Sequence, residues 1–314
     1  MKDGVYGMSS VKKITYLLLL SLLMASFSNL IAMAKISGID KVALELELET
    51  RTESQILSMA PGSKLNITNT NGQITIEGWD KNTIKIEAMI KDTATHRIKI
   101  ESTQNEQGVT IDVRYPGRGE AFWGLVQWNW DLVKNERPQC DLTLFVPRKL
   151  QGSFRNTNGG IRLTNLEGFI EVKSVNGNLD ARQITGTMEG KTVNGTITIN
   201  ETEADVNIST TNGLIKLDGV SGSINAKTIN GSIQAKNLNG QDRGISFNTV
   251  NGAVRLTLGS ATGSVHLSNV LGKISFTDQR GVVFQGRRLF TTDIPNSNQK
   301  IKVSTVNGPI DVIQ

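Results

Sequence analysis

Residues 192–199 read Thr-Val-Asn-Gly-Thr-Ile-Thr-Ile, and close variants of this phrase recur along the chain at a fixed interval. Asn-Gly pairs begin every 18 residues through the middle of the sequence, and further glycines stand halfway between them, on a nine-residue grid interrupted at Ala204. A constant period predicts a repeat architecture in which each unit packs against the next. The regular pairs are Asn158-Gly159, Asn176-Gly177, Asn194-Gly195, Asn212-Gly213 and Asn230-Gly231.

Aliphatic residues keep fixed offsets from these glycines. The second and fourth residues after each glycine are mostly aliphatic, as at Ile161 and Leu163, and so is the seventh. Side chains two residues apart lie on the same face of a strand, so the second and fourth positions predict a buried strand face. We expect the seventh position to point inward as well. Its occupants include Leu166, Val175, Ile184, Val193, Val220, Ile229 and Leu238.

The nine-residue unit decides the fold class. It holds a strand of about five residues and a turn of about four, but not a strand and a helix. Coils of two units, stacked about 4.8 Å apart, would enclose a continuous aliphatic core. The sequence therefore predicts an all-β protein: a single parallel β-solenoid with 18-residue coils, two nine-residue strand-turn units per coil and a strand-rich N-terminal cap. Asn-Gly also connects antiparallel hairpins, so stacked hairpins are the alternative.

The Asn-Gly pairs are predicted to turn the chain at the corners, where glycine supplies positive φ without steric penalty. The asparagines have two interpretations. Stacked amides could hydrogen-bond to one another or to the backbone, or asparagine could be present because it tolerates the left-handed conformation. Beyond residue 240 the spacing becomes irregular, but Asn251-Gly252 and Asn307-Gly308 predict that coils continue to the C-terminus, and Asn71-Gly72 predicts an earlier coil.

The N-terminus has the features of an export signal. Lys12 and Lys13 precede an apolar run that continues to Ile31, and Ala32-Met33-Ala34 has the small-x-small form of a signal-peptidase site. We expect export to the periplasm or the cell exterior, with cleavage after Ala34 and no transmembrane segment in the mature chain. The alternative is an uncleaved anchor, because the run is about as long as a bilayer crossing.

The sequence divides into four segments on this interpretation. Alternating stretches near residues 84–90, 97–101 and 109–115 predict longer strands before the regular repeats, and residues 281–300 resemble a cap or insertion. The predicted segments are a signal peptide at 1–34, a leader segment at 35–60, N-terminal rungs and longer strands at 61–157, and regular repeats with a C-terminal cap at 158–314.

Residues 116–138 depart from the repeat and concentrate aromatic side chains. Phe122, Trp123, Trp128 and Trp130 lie in this aromatic loop. Exposed tryptophans stack on sugar rings or lie at membrane interfaces, so these four residues are the candidate binding surface. The alternative is that they fold back over the open end of the apolar core.

Composition and motifs exclude several classes of function. A net charge of +5 without a Lys/Arg cluster does not predict nucleic-acid binding, and Cys140, the single cysteine, leaves no internal disulfide. The turns lack the Gly-Gly-x-Gly-x-Asp phrase of calcium-binding β-rolls, so we expect no metal or cofactor. His96 and His266 are isolated, and no catalytic residue is predicted. Polar residues that alternate with the core are a solvated surface, or a row that binds a glycan or anionic polymer.

An ordered set of phrases resembles a known bacterial family. The set is Pro61-Gly62-Ser63-Lys64-Leu65, the phrase at 69–74, Glu77-Gly78-Trp79-Asp80 and Phe145-Val146-Pro147-Arg148, followed by the Thr-Val/Ile-Asn-Gly repeats. It resembles the DUF4097 adhesin-like family, which is related to the toast-rack domains of envelope-stress systems. The resemblance covers about residues 55–314. It implies an extracytoplasmic β-solenoid or stacked-sheet domain.

These features together predict an exported, non-enzymatic binding or structural module, adhesin-like, of the bacterial envelope. Its partner is unknown, with an envelope protein or a glycan as the expected classes. The first alternative is an accessory sensor domain for envelope stress. The second is a polysaccharide-active β-helix enzyme, which would need paired carboxylates on an exposed sheet.

Overall fold

The computed structural model describes residues 48–93, 97–116, 137–239, 243–258, 263–294 and 299–314. One compact unit comprises residues 50–92 and 96–314, and the other unit, 1–49 with 93–95, falls almost entirely outside the described ranges. Every helix or strand assigned within those ranges is a strand, so the protein is all-β as predicted. The same ranges contain no helix with the length and apolarity needed to cross a membrane.

The strands before the regular repeats are β1 Glu49–Ser58, β2 Lys64–Asn71, β3 Ile74–Trp79, β4 Thr83–Asp92, β5 Lys99–Asn105, β6 Gly108–Arg114, β7 Gln139–Pro147 and β8 Lys149–Asn158. Those of the repeats are β9 Ile161–Asn176, β10 Leu179–Thr192, β11 Ile197–Thr210, β12 Ile215–Ser221, β13 Ile224–Thr228, β14 Ile233–Lys236, β15 Ile245–Asn248 and β16 Val254–Thr257. The last strands are β17 Gly263–Asn269, β18 Ile274–Thr277, β19 Val283–Gly286, β20 Leu289–Ile294, β21 Lys300–Thr305 and β22 Ile310–Ile313.

The strands pair in two series of parallel neighbours. The first series runs in the order β3, β9, β10, β11, β12, β14, β16, β22, β18. The second runs β2, β8, β9, β10, β11, β13, β15, β21, β17. Strands β9, β10 and β11 belong to both series, because each is long enough to contribute one half to each.

The aliphatic positions of the repeat form the core of this arrangement. Leu179 pairs with Ile161 on one side and with Ile197 on the other, and Ile197 pairs with Ile215. Each of these side chains is at most 1% exposed, and burial of one such side chain stabilises the fold by about 1.5–3 kcal/mol. The pairing is parallel throughout β8–β16, so the antiparallel-hairpin alternative does not describe these repeats.

Three strands of the repeats are more than twice as long as the predicted five residues. β9 has 16 residues, and β10 and β11 have 14 each. Their pairing continues through the bend between the two halves, as in Ile184 with Leu166 and Thr185 with Glu203. The neighbouring strands β9, β10 and β11 bend at the same place, so the backbone hydrogen bonds between them continue through this corner.

The order of strands departs from chain order at both ends. β6 and β7 pair outside β2 and β3, although they follow them in sequence. At the other end β21 and β22 lie between β15–β16 and β17–β18, so the coils do not continue in simple succession. Antiparallel strands then extend both series at their ends, namely β4 on β7, β5 on β6, β19 on β18 and β20 on β17, and β1 pairs in turn with β4.

The predicted inward seventh position is correct at one corner and wrong at the other. Leu166 is buried, whereas Val175 and Val193 are 41% and 40% exposed. At the corner after β-strand positions 161–164, Asn165 has φ of 59°, and this left-handed residue shifts the alternation so that Leu166 points inward. At the Asn-Gly corner the strand alternation continues unchanged, so Ser174 is buried and Val175 points outward. Ile229 is exposed for the same reason.

Candidate functional site

The Asn-Gly corner is defined here by the Asn-Gly pairs and the two residues before each. Its asparagine side chains form one continuous ladder, in which each amide nitrogen donates to the side-chain oxygen of the preceding asparagine. The seven hydrogen bonds are 2.6–2.9 Å long. The ladder contains Asn71, Asn158, Asn176, Asn194, Asn212, Asn230, Asn251 and Asn307. These asparagines lack positive φ, so the hydrogen-bonding interpretation accounts for them.

The glycines of this corner are needed for a different reason from the predicted one. Gly159 has positive φ, but Gly177, Gly195, Gly213, Gly231, Gly252 and Gly308 do not. A Cβ atom at Gly213 would lie 1.8 Å from the carbonyl oxygen of Gly195, and one at Gly252 would lie 1.7 Å from that of Gly231. Successive backbones therefore approach too closely for any side chain, and this contact requires glycine at each turn.

Beneath the asparagines lies a second row, of buried hydroxyl groups, that the sequence analysis missed. Thr192 and Thr210 donate to the carbonyl oxygens of Gly177 and Gly195 at 3.0 and 3.1 Å. The same bond is made by Ser174, Thr228, Thr249 and Thr305. The signal was present in the sequence as a Ser or Thr two residues before six of the eight ladder asparagines, with Asn69 and Asn156 at the same position before Asn71 and Asn158. These hydroxyls satisfy glycine carbonyl groups at a buried turn.

The aromatic loop leaves and rejoins the structure at the Asn-Gly corner. Phe122, Trp123, Trp128 and Trp130 lie outside the described residues. On the near side, the Tyr115 hydroxyl donates to the Oδ1 atom of Asn69 at 2.9 Å, and on the far side the carbonyl of Pro138 accepts from Asn71 at 3.4 Å. Burial raises the pKa of the neighbouring Cys140 thiol to about 12, so this cysteine is a buried, unreactive side chain.

The outward side chains of the first series carry a group of cationic residues. Lys216, Gln234 and Arg255 stand in register on β12, β14 and β16. Beside them Lys236 contacts Asp218 at 3.0 Å. Together with Thr198, Asn200, Leu217, Ala235 and Thr257, these residues line a shallow groove. The spacing of charged and amide groups is fixed by strand pairing, which suits contact with repeating acidic groups of a polymer.

The second series also carries cationic side chains on its outward surface, among them Arg155, Lys191, Lys227 and Lys302. The hydrogen bond from Lys173 holds the pKa of Glu171 below its usual range, although burial opposes this. Farther along the same face, Asn225 donates to Asn207 at 3.1 Å. Ion pairs occur on both faces, since Arg255 lies 3.9 Å from Asp311 on the first series and Arg155 lies 3.4 Å from Glu171 on the second.

Comparison with known proteins identifies the fold family. The family model described as Toastrack DUF4097 matches residues 62–313. Solved structures similar to the chain include a putative adhesin from Bacteroides fragilis NCTC 9343, with 11% identity, a TM-score of 0.43 and coverage of 83% of this chain and 97% of that one. Another is a putative lipid binding protein from Parabacteroides distasonis ATCC 8503, with 15% identity, a TM-score of 0.42 and coverage of 84% and 97%. No curated protein matches the sequence. The chain belongs to the Toastrack DUF4097 family.

Proposed function

We propose that the protein is an exported, non-enzymatic binding module of the bacterial envelope, adhesin-like in the sense of the names given to similar structures. The observation that carries this proposal is the in-register stacking of outward side chains on long series of parallel strands. Such stacking fixes polar groups at intervals of about 4.8 Å. A surface of this kind is already ordered, so it loses little conformational entropy when it binds a repetitive partner.

The proposed architecture is a parallel β-solenoid in which each 18-residue coil contributes one strand, or one half of a long strand, to each series. The 18-residue register between β9, β10 and β11 supports it. The proposed partner is an acidic glycan or an envelope protein that offers acidic groups, and the groove around Lys216 and Arg255 is the proposed contact. Export rests on the N-terminal leader, with cleavage after Ala34.

The test of this function is capture of the partner from intact cells by crosslinking, together with direct binding to acidic polysaccharides. A Lys216→Glu/Arg255→Glu variant should lose the captured partner, because both cations lie in the groove. Lys227→Glu is the matched control, since Lys227 is exposed on the other series. If both variants capture the partner equally well, the groove is not the contact surface. Recovery of a membrane-bound partner would favour the sensor alternative, and N-terminal sequencing of the secreted chain checks the cleavage site.

A further inference from the structure

A row of aliphatic side chains runs along the Asn-Gly corner, at the position just before the asparagine of each pair and before Leu271 in the last coil. The residue that precedes this position is buried, so strand alternation turns the row itself to the surface. We call it the corner stripe, and its members are Val175, Val193, Thr211, Ile229, Val250, Val306 and Val270. Its aliphatic members are between 36% and 60% exposed.

Backbone hydrogen bonds show that the corner stripe is continuous. The amide that follows each member donates to the carbonyl of the member before it, from Asn194 to Val175 at 2.8 Å through to Leu271 to Val306 at 2.9 Å. Six such bonds join the seven members in the order given above. Neighbouring members therefore stand about 4.8 Å apart, and the whole stripe is about 29 Å long. Contiguous exposed apolar surface of this kind marks an interaction site, whereas single exposed residues do not.

The asparagine ladder lies beside the corner stripe, one residue farther along each strand. A primary amide has two N–H donors and two acceptor lone pairs. In Asn194, Asn212 and Asn230 the ladder uses one donor and one lone pair of each side chain. These amides are exposed, so a donor and an acceptor on each coil remain for a ligand. The corner thus offers an aliphatic row and a hydrogen-bonding row side by side, with the same spacing.

Size, spacing and charge select among the occupants of this surface. The stripe is one side chain wide and offers roughly 200 Å², whereas each partner of a stable dimer buries about 800 Å². An extended peptide presents side chains on one face about every 6.6 Å, which does not match a spacing of about 4.8 Å. Stripe and ladder side chains are uncharged, and the next outward row carries cations on three of the seven strands, Lys173, Lys191 and Lys227. A polyanion would therefore meet no regular row of positive charge.

We propose that the corner stripe and the asparagine ladder bind an extended neutral glycan that lies along the stack of strands. A pyranose ring presents C–H groups on its face and hydroxyl groups, which both donate and accept, at its edge. The stripe contacts the C–H face, and the free N–H and lone pair of each ladder amide bond to the edge hydroxyls. In an extended β-1,4-linked chain each sugar advances by roughly one strand spacing, so the same contact repeats from coil to coil.

Pull-down of the full chain on insoluble glycans tests the match of spacing. Cellulose and β-1,4-mannan are the extended neutral chains, and amylose, whose α-1,4-linked chain coils, is the control. We expect retention on cellulose or mannan, little on amylose, and no loss at high salt, because no ion pair is involved. Retention on none of the three glycans, or equal retention on all of them, would overturn the proposal.

Val193→Thr/Val250→Thr measures the contribution of the corner stripe. Each change replaces a methyl group by a hydroxyl and keeps the β-branched shape, which Thr211 already has in the same row. Loss of one buried methyl weakens binding about fourfold, so the double variant should bind about 15-fold more weakly. Val282→Thr/Val283→Thr is the matched control, since both valines are exposed outside the stripe. The same loss in both variants would show that the stripe is not the contact.

Two further measurements separate this site from the groove and from a dimer. Lys216→Glu/Arg255→Glu should bind the neutral glycan as the parent protein does, because the groove lies on the first series. A loss in that variant would place the glycan in the groove and overturn the proposal, whereas the groove itself is judged by capture of its own partner. Sedimentation of the full chain should show no dimer that Val193→Thr/Val250→Thr abolishes. Such a dimer without glycan binding would assign the stripe to a second copy.

Discussion

The two corners of the repeat turn the same chain by different means. At the Asn-Gly corner, successive backbones come so close that only glycine fits, and stacked amides and hydroxyls satisfy the polar groups. At the other corner, which we call the αL corner, the first residue of the bend adopts positive φ in each coil, and the glycine three residues later does so at Gly168, Gly186 and Gly222. The occupants of that first position are Asn165, Gln183, Glu201, Gly219 and Asn237. Close approach dictates residue identity, whereas a single left-handed residue is a modest strain that several side chains tolerate.

Alanine substitution of a glycine at each corner should give the largest difference. Gly213→Ala places a Cβ 1.8 Å from the Gly195 carbonyl oxygen. We expect it to lower the free energy of unfolding by about 3 kcal/mol, because backbone must move. Gly219→Ala is the matched control, since its Cβ would meet nothing nearer than 3.6 Å and should cost only about 1 kcal/mol of left-handed strain. Denaturant unfolding measures both. Similar losses would mean that the close approach does not require glycine.

Removal of a buried hydroxyl should have the next largest effect. Thr210→Val keeps the shape of the side chain but leaves the Gly195 carbonyl without its 3.1 Å donor. The expected loss is about 1–2 kcal/mol, the usual result of leaving a buried acceptor unsatisfied. Thr211→Val, one residue farther along and half-buried, should stay within about 0.5 kcal/mol of the parent protein. If the two variants unfold at the same denaturant concentration, the hydroxyl row is incidental.

The asparagine ladder should be weaker, because its amides are exposed to water. Asn212→Ala removes the bond to Asn194 and the bond from Asn230, with an expected loss of about 1 kcal/mol. Asn307→Ala removes the single ladder bond to Asn251 and should cost about half as much. Thermal unfolding of both variants makes the comparison. An end position as costly as the interior one would contradict a ladder of independent bonds.

The two corners were not equally predictable from the sequence. The 18-residue spacing of Asn-Gly predicted the all-β class and the aliphatic register of Ile161 with Leu179, because these depend on repeated residue identities. The αL corner was missed, since Asn165, Gln183 and Glu201 share a backbone angle but no side-chain type. Without that angle, the inward turn of Leu166 could not be distinguished from the outward position of Val175. The sequence identified Lys216 and Gln234 only as outward-facing positions. It did not predict that they lie next to Arg255, because that grouping depends on the pairing of β12, β14 and β16.

Acid should affect the αL corner more than the Asn-Gly corner. The side-chain hydrogen bond from Asn237, followed by the contact with Lys236, holds the pKa of Asp218 below its usual range. A carboxyl whose pKa is lower in the folded state stabilises the fold above the unfolded pKa of about 4, and this contribution is lost as pH falls through the folded value. Asp218→Asn should therefore flatten the acid side of the stability profile slightly, because Asp218 is partly exposed. Asn212→Ala should lower stability equally at neutral and acid pH, since the ladder has no titrating group. A pH-dependent loss in Asn212→Ala, measured by denaturant unfolding across this range, would show that the two corners are coupled.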